Sequence, residues 1–328
     1  RDGYWGGTIP WISAKTLKTE NIDTSDLFIT EEGLKAGSKI APKGSILLLT
    51  RGSGLFNGIP IARVEKDVAF NQDIKCLDSY GEVENEFIFY WLLSQKDYLM
   101  AKVGVTGIGA GKFDLDFLQK LMIPIPSERE RKSIVGFASS ISEKIRCNAK
   151  VNDNLQQQAQ ALFKSWFLNY EPWDGTAPNS WLHGKLGDYA NIKRGGSPRP
   201  IQEYLSDSGL RWLKISDVTG LQTPFIIDIK DHIIEEGLKK TVFLKAGSLV
   251  LSNSATPGIP KILDVDSCIH DGWLYFPESR FSNEYLYLYF KYIRQQLVNL
   301  SNGSVFNNLK TDILKGYPTI LPDEETLQ

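Results

Sequence analysis

Cysteine is scarce in this sequence. Its three residues, Cys76, Cys147 and Cys268, are too few and too scattered for a disulfide framework or a zinc cluster. That points to a reducing compartment, with the cytoplasm as the default. Histidine is equally sparse: His183, His232 and His270 stand without a ligand partner at metal spacing, so no metal site is expected. Neither sign of charge is in excess. Thirty-seven Lys and Arg against 39 Asp and Glu leave a net charge of -2, which excludes a chain that coats polyanions indiscriminately but leaves room for a local basic groove. No apolar run is long enough to span a bilayer and no signal peptide opens the chain, so a soluble protein without membrane partners is expected.

Catalytic signatures are missing as well. GIGAGKF at 107 to 113 resembles a phosphate loop, but Thr106 stands where its first glycine is required and Phe113 where Ser or Thr would hold magnesium. No Asn-Pro-Pro-Tyr methyltransferase loop occurs, no glycine fingerprint joins a strand to a helix, and no nuclease-like Asp…Glu-x-Lys set stands out. The chain reads as a binder, with no catalytic residue and no cofactor of its own.

What the sequence does have is repetition. A chain of 328 residues with 42% apolar content predicts two ordinary domains, and the halves match in order. IPWISAKTL meets LRWLKISDV, EEGL at 31 to 34 meets EEGL at 235 to 238, and KGSILL meets AGSLVL. GIP at 58 to 60 then meets GIP at 258 to 260, Asp73 meets Asp271, and NEFIFYWLL meets NEYLYLYFK. The offset runs from 201 residues at Trp11 and Trp212 to 196 at Pro126 and Pro322, as expected when surface loops differ in length over a shared framework. Each copy mixes β-branched and aromatic runs with one helix, ENEFIFYWLLSQKDYLMAK or NEYLYLYFKYIRQQLVNL, which predicts an α+β domain. The aromatic stripe of the first helix, with Phe87, Tyr90, Trp91 and Leu99, is expected to be core packing and not a stacking platform.

Between the copies, Ser127 to about Tyr170 holds no proline and one early glycine, which predicts a long helix. Ile134, Ile141, Asn148, Leu155 and Leu162 recur every seven residues, flanked by Phe137, Ile145, Val151 and Trp166, so the seam is coiled-coil-like and needs a partner helix. Ser127 and Glu130 form a capping box at its start. The expected organisation is a first domain at 1–126, the helix at 127–170, a Pro/Gly linker at 171–180, a second domain at 181–322 and the start of a second long helix at 323–328.

These residues resemble the specificity subunit of type I restriction-modification enzymes. The resemblance rests on YWGGTIPWISAKTL, GIPIARV, IPIPSERERKSIV, WLHGKLGDYANIKRGGSPRP and YPTILPDEETLQ, and covers essentially the whole chain. The family's proline-rich strand ending in an acidic or Gln-containing helix start reads IPIPSERERKSI here, with Arg131 where Gln is frequent. Copy one lacks a counterpart of WLHGKLGDYANIKRGGSP and copy two lacks its long helix, so both ends are expected to be truncated. The resemblance implies two target-recognition domains that each read one half of a bipartite site in double-stranded DNA. It implies helices that set the spacer and dock two methyltransferase subunits, and restriction/motor subunits that complete the assembly. S-adenosylmethionine and ATP would then bind the partners. The candidate DNA contacts are Lys15, Arg51, Ser53, Asn57, Thr106 and Lys112 in copy one; in copy two they are Arg194, Arg199, Lys214, Ser216, Asn253, Ser254, Asn302, Ser304 and Asn307. All lie in or beside polar loops, as groove-reading side chains must. A two-domain carbohydrate or peptide binder on a coiled-coil scaffold is the alternative.

Overall fold

A computed structural model describes residues 3–107, 109–301 and 308–327. The chain divides into two compact units, Arg1–Lys150 and Val151–Gln328.

In the first unit, β1 (Trp5–Ile12), β2 (Lys39–Ala41), β3 (Ile46–Leu49), β4 (Ile61–Val64), β5 (Val68–Phe70) and β6 (Ile74–Leu77) build the framework. β1 runs parallel to β5 through Trp11↔Ala69 and Ile12↔Phe70, and β5 runs antiparallel to β2 through Ile40↔Ala69. β3 is central to a second sheet, pairing with β4 at Leu48↔Ile61 and with β6 at Leu48↔Lys75.

The second unit repeats this with β7 (Leu210–Leu213), β8 (Val242–Leu244), β9 (Leu249–Ser252), β10 (Pro260–Leu263), β11 (Ser267–Ile269) and β12 (Trp273–Ser279). β7 is parallel to β11 at Trp212↔Cys268 and Leu213↔Ile269, and β11 is antiparallel to β8 at Phe243↔Cys268. β9 pairs with β10 at Leu251↔Pro260 and with β12 at Leu251↔Leu274. The duplicated phrases therefore form the same set of ladders, with the strand after GIP shifted by one residue in register between the copies. The strands at the centre explain why SILLL and SLVL read as unbroken apolar runs: Ile46 to Leu49 are at most 1% exposed and Leu249 to Leu251 at most 2%, so both faces of each strand are covered.

One helix packs on each framework: α1 (Asn85–Ser94), which buries Phe87, Phe89 and Leu92, and its counterpart in the second unit, Asn283–Ser301. The first is shorter than the sequence predicts. Gln95 closes it with a tight turn to Leu92 O, and a separate turn, Lys96–Met100, follows. Ser94 Oγ donates to Trp91 O at 2.7 Å, a local bond that competes with continuation of the helix. The aromatic stripe is core, as expected: Leu99 is fully buried, and Tyr90 and Trp91 pack against the cluster.

The long helix α2 spans Glu128–Phe167. Ser127 N and Oγ both donate to Glu130 Oε2, at 2.9 and 2.7 Å, and complete the capping box. Arg131, 7% exposed, donates to Glu84 Oε2, Pro126 O and Glu82 O, each at 3.0 Å, and clamps the first turn to the first unit. Toward its end, Phe163 meets Tyr285 at 5.1 Å and Phe167 stacks on Trp181 at 5.9 Å within the second unit. The predicted seam points outward. Ile134, Phe137, Ile141, Ile145, Val151, Leu155, Leu162 and Trp166 are all exposed, from 39% at Trp166 to 72% at Phe137.

The units also differ. In the second, Leu182–Lys185 pairs with Pro318–Leu321, Ala190–Arg194 pairs with β12, and Leu186 and Ile192 enter the core. Among the described residues of the first unit no strand takes these places. Ile125 is accordingly 59% exposed, where its counterpart Leu321 is 2% exposed. Among the described residues no helix is long and apolar enough to cross a membrane.

Candidate nucleic-acid interface

In each unit the parallel strand pair and the central strand end together, and their loops converge. In the first unit Thr50 N and Oγ1 donate to Asp73 O at 2.8 and 2.9 Å, while Phe113 N donates to Thr50 O at 2.9 Å. These bonds root a three-stranded ribbon on the sheet: Arg51–Gly52 pairs with Gly111–Lys112, which pairs with Gly104–Val105. Gly52 has φ +143°, a left-handed backbone that disfavours any side chain, and Ala14 Cβ lies 3.6 Å from where its Cβ would stand. The exposed Lys15 is thereby brought beside the ribbon. Thr106 closes the ribbon's turn, its Oγ1 accepting from Ala110 N at 3.0 Å.

The register places Lys112 directly opposite Arg51. Both are exposed, and neither has an ion-pair partner among the described residues. Like charges directly opposed across a ladder repel. An anion placed between them turns that repulsion into two attractions, so the pair can hold an anionic or acceptor-rich group.

The second unit assembles a different set of groups at the equivalent place. Asn253 N donates to Gly272 O at 2.9 Å and Leu309 N to Asn253 O at 2.8 Å, repeating the bonds around Thr50. Asp271 is the hub. Its carboxylate accepts from Ser197 Oγ at 2.7 Å and from Arg199 Nη2 at 3.1 Å, and Arg194 Nη2 stands 3.9 Å away. Its main-chain carbonyl accepts from Arg194 Nε and, at 3.4 Å, from Asn253 Nδ2. Burial alone would raise the Asp271 carboxyl, but Ser197 and the two guanidinium groups outweigh it and hold the group below its ordinary value. Burial lowers His270, against the pull of Asp271. Its Nδ1 accepts from Gly272 N at 2.7 Å, so the ring is neutral at pH 7 and its contact with Asp271 is not an ion pair. A Cβ on Gly272 would stand 2.2 Å from His270 Cε1 and 2.6 Å from Ser254 Oγ, which shows how tightly these loops close.

The structure thus brings Lys15, Arg51, Thr106 and Lys112 together in one unit, and Arg194, Arg199, Asn253 and Ser254 in the other. Ser53 is exposed at the first turn after the ribbon strand, and Asn57 lies beyond it, lining a depression with Leu17 and Lys96. Lys214 is tied to Asp231 at 2.6 Å and lines a depression with Arg199, Trp212 and His270; Ser216 is exposed one turn on. Asn253 is 4% exposed, so its side chain faces the loops and not solvent. Asn302, Ser304 and Asn307 fall outside the described residues. Sequence reasoning did not single out Ser197, His270 or Asp271 as site residues. The available signal was Asp271 as a landmark of the repeat, two residues beyond the strand that ends at Ile269.

Two copies of one α+β domain, each with a cationic loop end, define a two-headed recognition protein. Residues 2–157 and 178–328 match the type I restriction modification DNA specificity domain, and the chain belongs to that family. The specificity subunit of the type I restriction enzyme MjaIX from Methanocaldococcus jannaschii is 24% identical across 99% of this chain and 79% of its own length. That of EcoR124I/EcoR124II from Escherichia coli is 30% identical over 40% of this chain and 33% of its own. The crystal structure of the S subunit of a type I restriction-modification system from M. genitalium shares the fold, with a TM-score of 0.56 at 16% identity over 99% of this chain and 84% of that one. The family match supports DNA specificity and gives no support to the carbohydrate or peptide alternative.

Proposed function

We propose that this chain is the DNA-sequence-recognition subunit of a type I restriction-modification assembly. Residues 1–126 and 181–322 each read one half of a bipartite double-stranded target, and 127–170, with a partner helix packed on the exposed apolar seam, set the spacer and dock two methyltransferase subunits. The stretch 171–180 is the linker, and 323–328 begins a second long helix. The chain itself is non-catalytic. S-adenosylmethionine and ATP bind the methyltransferase and restriction/motor partners, and the assembly works in the cytoplasm. The observation that carries the DNA-reading role is the unpaired Arg51–Lys112 couple at the ribbon of the first unit, mirrored by the arginines gathered around Asp271 in the second. Cations on loops that project from a rigid sheet can reach phosphates, while Ser and Asn neighbours supply the neutral donors and acceptors that base edges require. The docking role rests on the seam, an apolar stripe that an isolated soluble helix would not keep in water without a partner.

Titration of the purified chain against duplex DNA over a salt series tests this reading. A steep loss of affinity with rising salt is expected, because each neutralised phosphate releases counterions. Salt-independent binding, or methyl transfer by the chain without partners, would overturn it.

A further inference from the structure

We infer that Asp271 is a positioning residue that aims Arg199 at the O6/N7 edge of a guanine in the second half-site. The inference rests on the DNA-reading function proposed above. Ser197 Oγ donates to Asp271 Oδ1 at 2.7 Å and accepts from Asp271 N at 3.2 Å, which fixes the carboxylate from one side. The other oxygen, Oδ2, is left to hold Arg199 Nη2 at 3.1 Å. A guanidinium has five N–H donors, so one anchored nitrogen leaves a fork free for the two acceptors of guanine. Arg199 is 77% exposed in its side chain, and an ion pair so exposed contributes little to stability, so the fold does not require this geometry. What the anchor supplies is orientation. The device belongs to one domain only: counted from the paired strand ends Phe70 and Ile269, Gln72 stands where the second unit has Asp271, and the neighbouring Asp73 carboxylate meets Asn71 Nδ2 at 3.4 Å with no arginine on it among the described residues.

Selection of the full chain against a library of random duplexes tests the inference, with wild type, Asp271→Asn and Arg199→Lys in parallel. Wild type is expected to enrich a bipartite motif with at least one G·C pair in one half. Both variants should lose preference at one and the same G·C position, by about 5- to 150-fold, which is what one bidentate contact is worth. The other half-site should be unchanged. A merely structural role for Asp271 would weaken binding to all sequences evenly, and that even loss would overturn the inference. So would unchanged preference, or a half-site free of G·C. Arg199→Lys keeps the charge and leaves Asp271 in place, so unchanged preference in that variant overturns the inference even where Asp271→Asn fails to fold. A wild-type chain that enriches no bipartite motif would overturn the proposed function itself.

Discussion

Replacing Arg51 by Ala should strengthen the fold and weaken DNA binding at the same time. Arg51 and Lys112 oppose each other across an antiparallel ladder, where facing side chains stand about 4.5–5.5 Å apart at Cβ and a like-charge pair costs about 0.2–1 kcal/mol. Both are exposed and solvated, so the low end applies: the variant should gain a few tenths of a kcal/mol. On DNA the sign reverses. Loss of a base-reading arginine should cost about 1–3 kcal/mol of specific binding, roughly 5- to 150-fold in Kd. If Arg51 meets a phosphate instead, binding should weaken evenly across sequences and the salt slope should fall by about 1. Urea unfolding reads the first effect, and fluorescence anisotropy on target and scrambled duplexes reads the second. A variant that is less stable than wild type with unchanged affinity would refute the reasoning, because Arg51 would then be a structural cation.

Arg131→Ala removes a 7% exposed guanidinium from Glu84 and from the carbonyls of Glu82 and Pro126. Leaving those acceptors unpaired should destabilise the first unit by about 1–3 kcal/mol, seen as a lower urea midpoint. Lys261 is 4% exposed, donates to Leu221 O at 2.7 Å and to Thr223 O, and is pushed down by burial to about 8. Between pH 8 and the ordinary lysine value the unfolded chain therefore binds more protons than the folded one. Stability should rise with pH there by up to about 1.4 kcal/mol per unit, a slope that thermal unfolding should find in wild type and not in Lys261→Met. Duplicating four residues near Leu155, with a matching insertion in the partner helix, adds one turn, about 5.4 Å. At about 3.4 Å per base pair, the recognised spacer should lengthen by one or two base pairs with both half-sites intact, as methylation mapping would record.

Much of this architecture was legible because it is written in local patterns. The unbroken apolar runs at 46–49 and 249–251 mark central strands, and the Trp11 and Trp212 phrases mark the parallel pairs that flank them. A stretch without proline and with a heptad repeat marks α2. Local bonds hid the break at Gln95, since Ser94 fits a helical pattern until its hydroxyl takes the Trp91 carbonyl. The site was harder to read, because it depends on long-range pairing. Arg51 and Lys112 are 61 residues apart (112 minus 51), and only the ladder register sets them face to face. Asn253 reads as a polar loop residue, yet the bonds of its backbone to Gly272 and Leu309 draw it inside. Asp271 reads as a repeat landmark; its role as a hub appears only when Ser197 and Arg199 fold back onto it.

Two homologous domains that read separate half-sites leave a signature in the methylated genome. Mapping every methylated site in the genome of a host that carries the complete system tests this most directly. One bipartite motif is expected, two defined half-sites around a spacer of constant length and no sequence preference. A single continuous motif, or half-sites found at variable spacing, would contradict it.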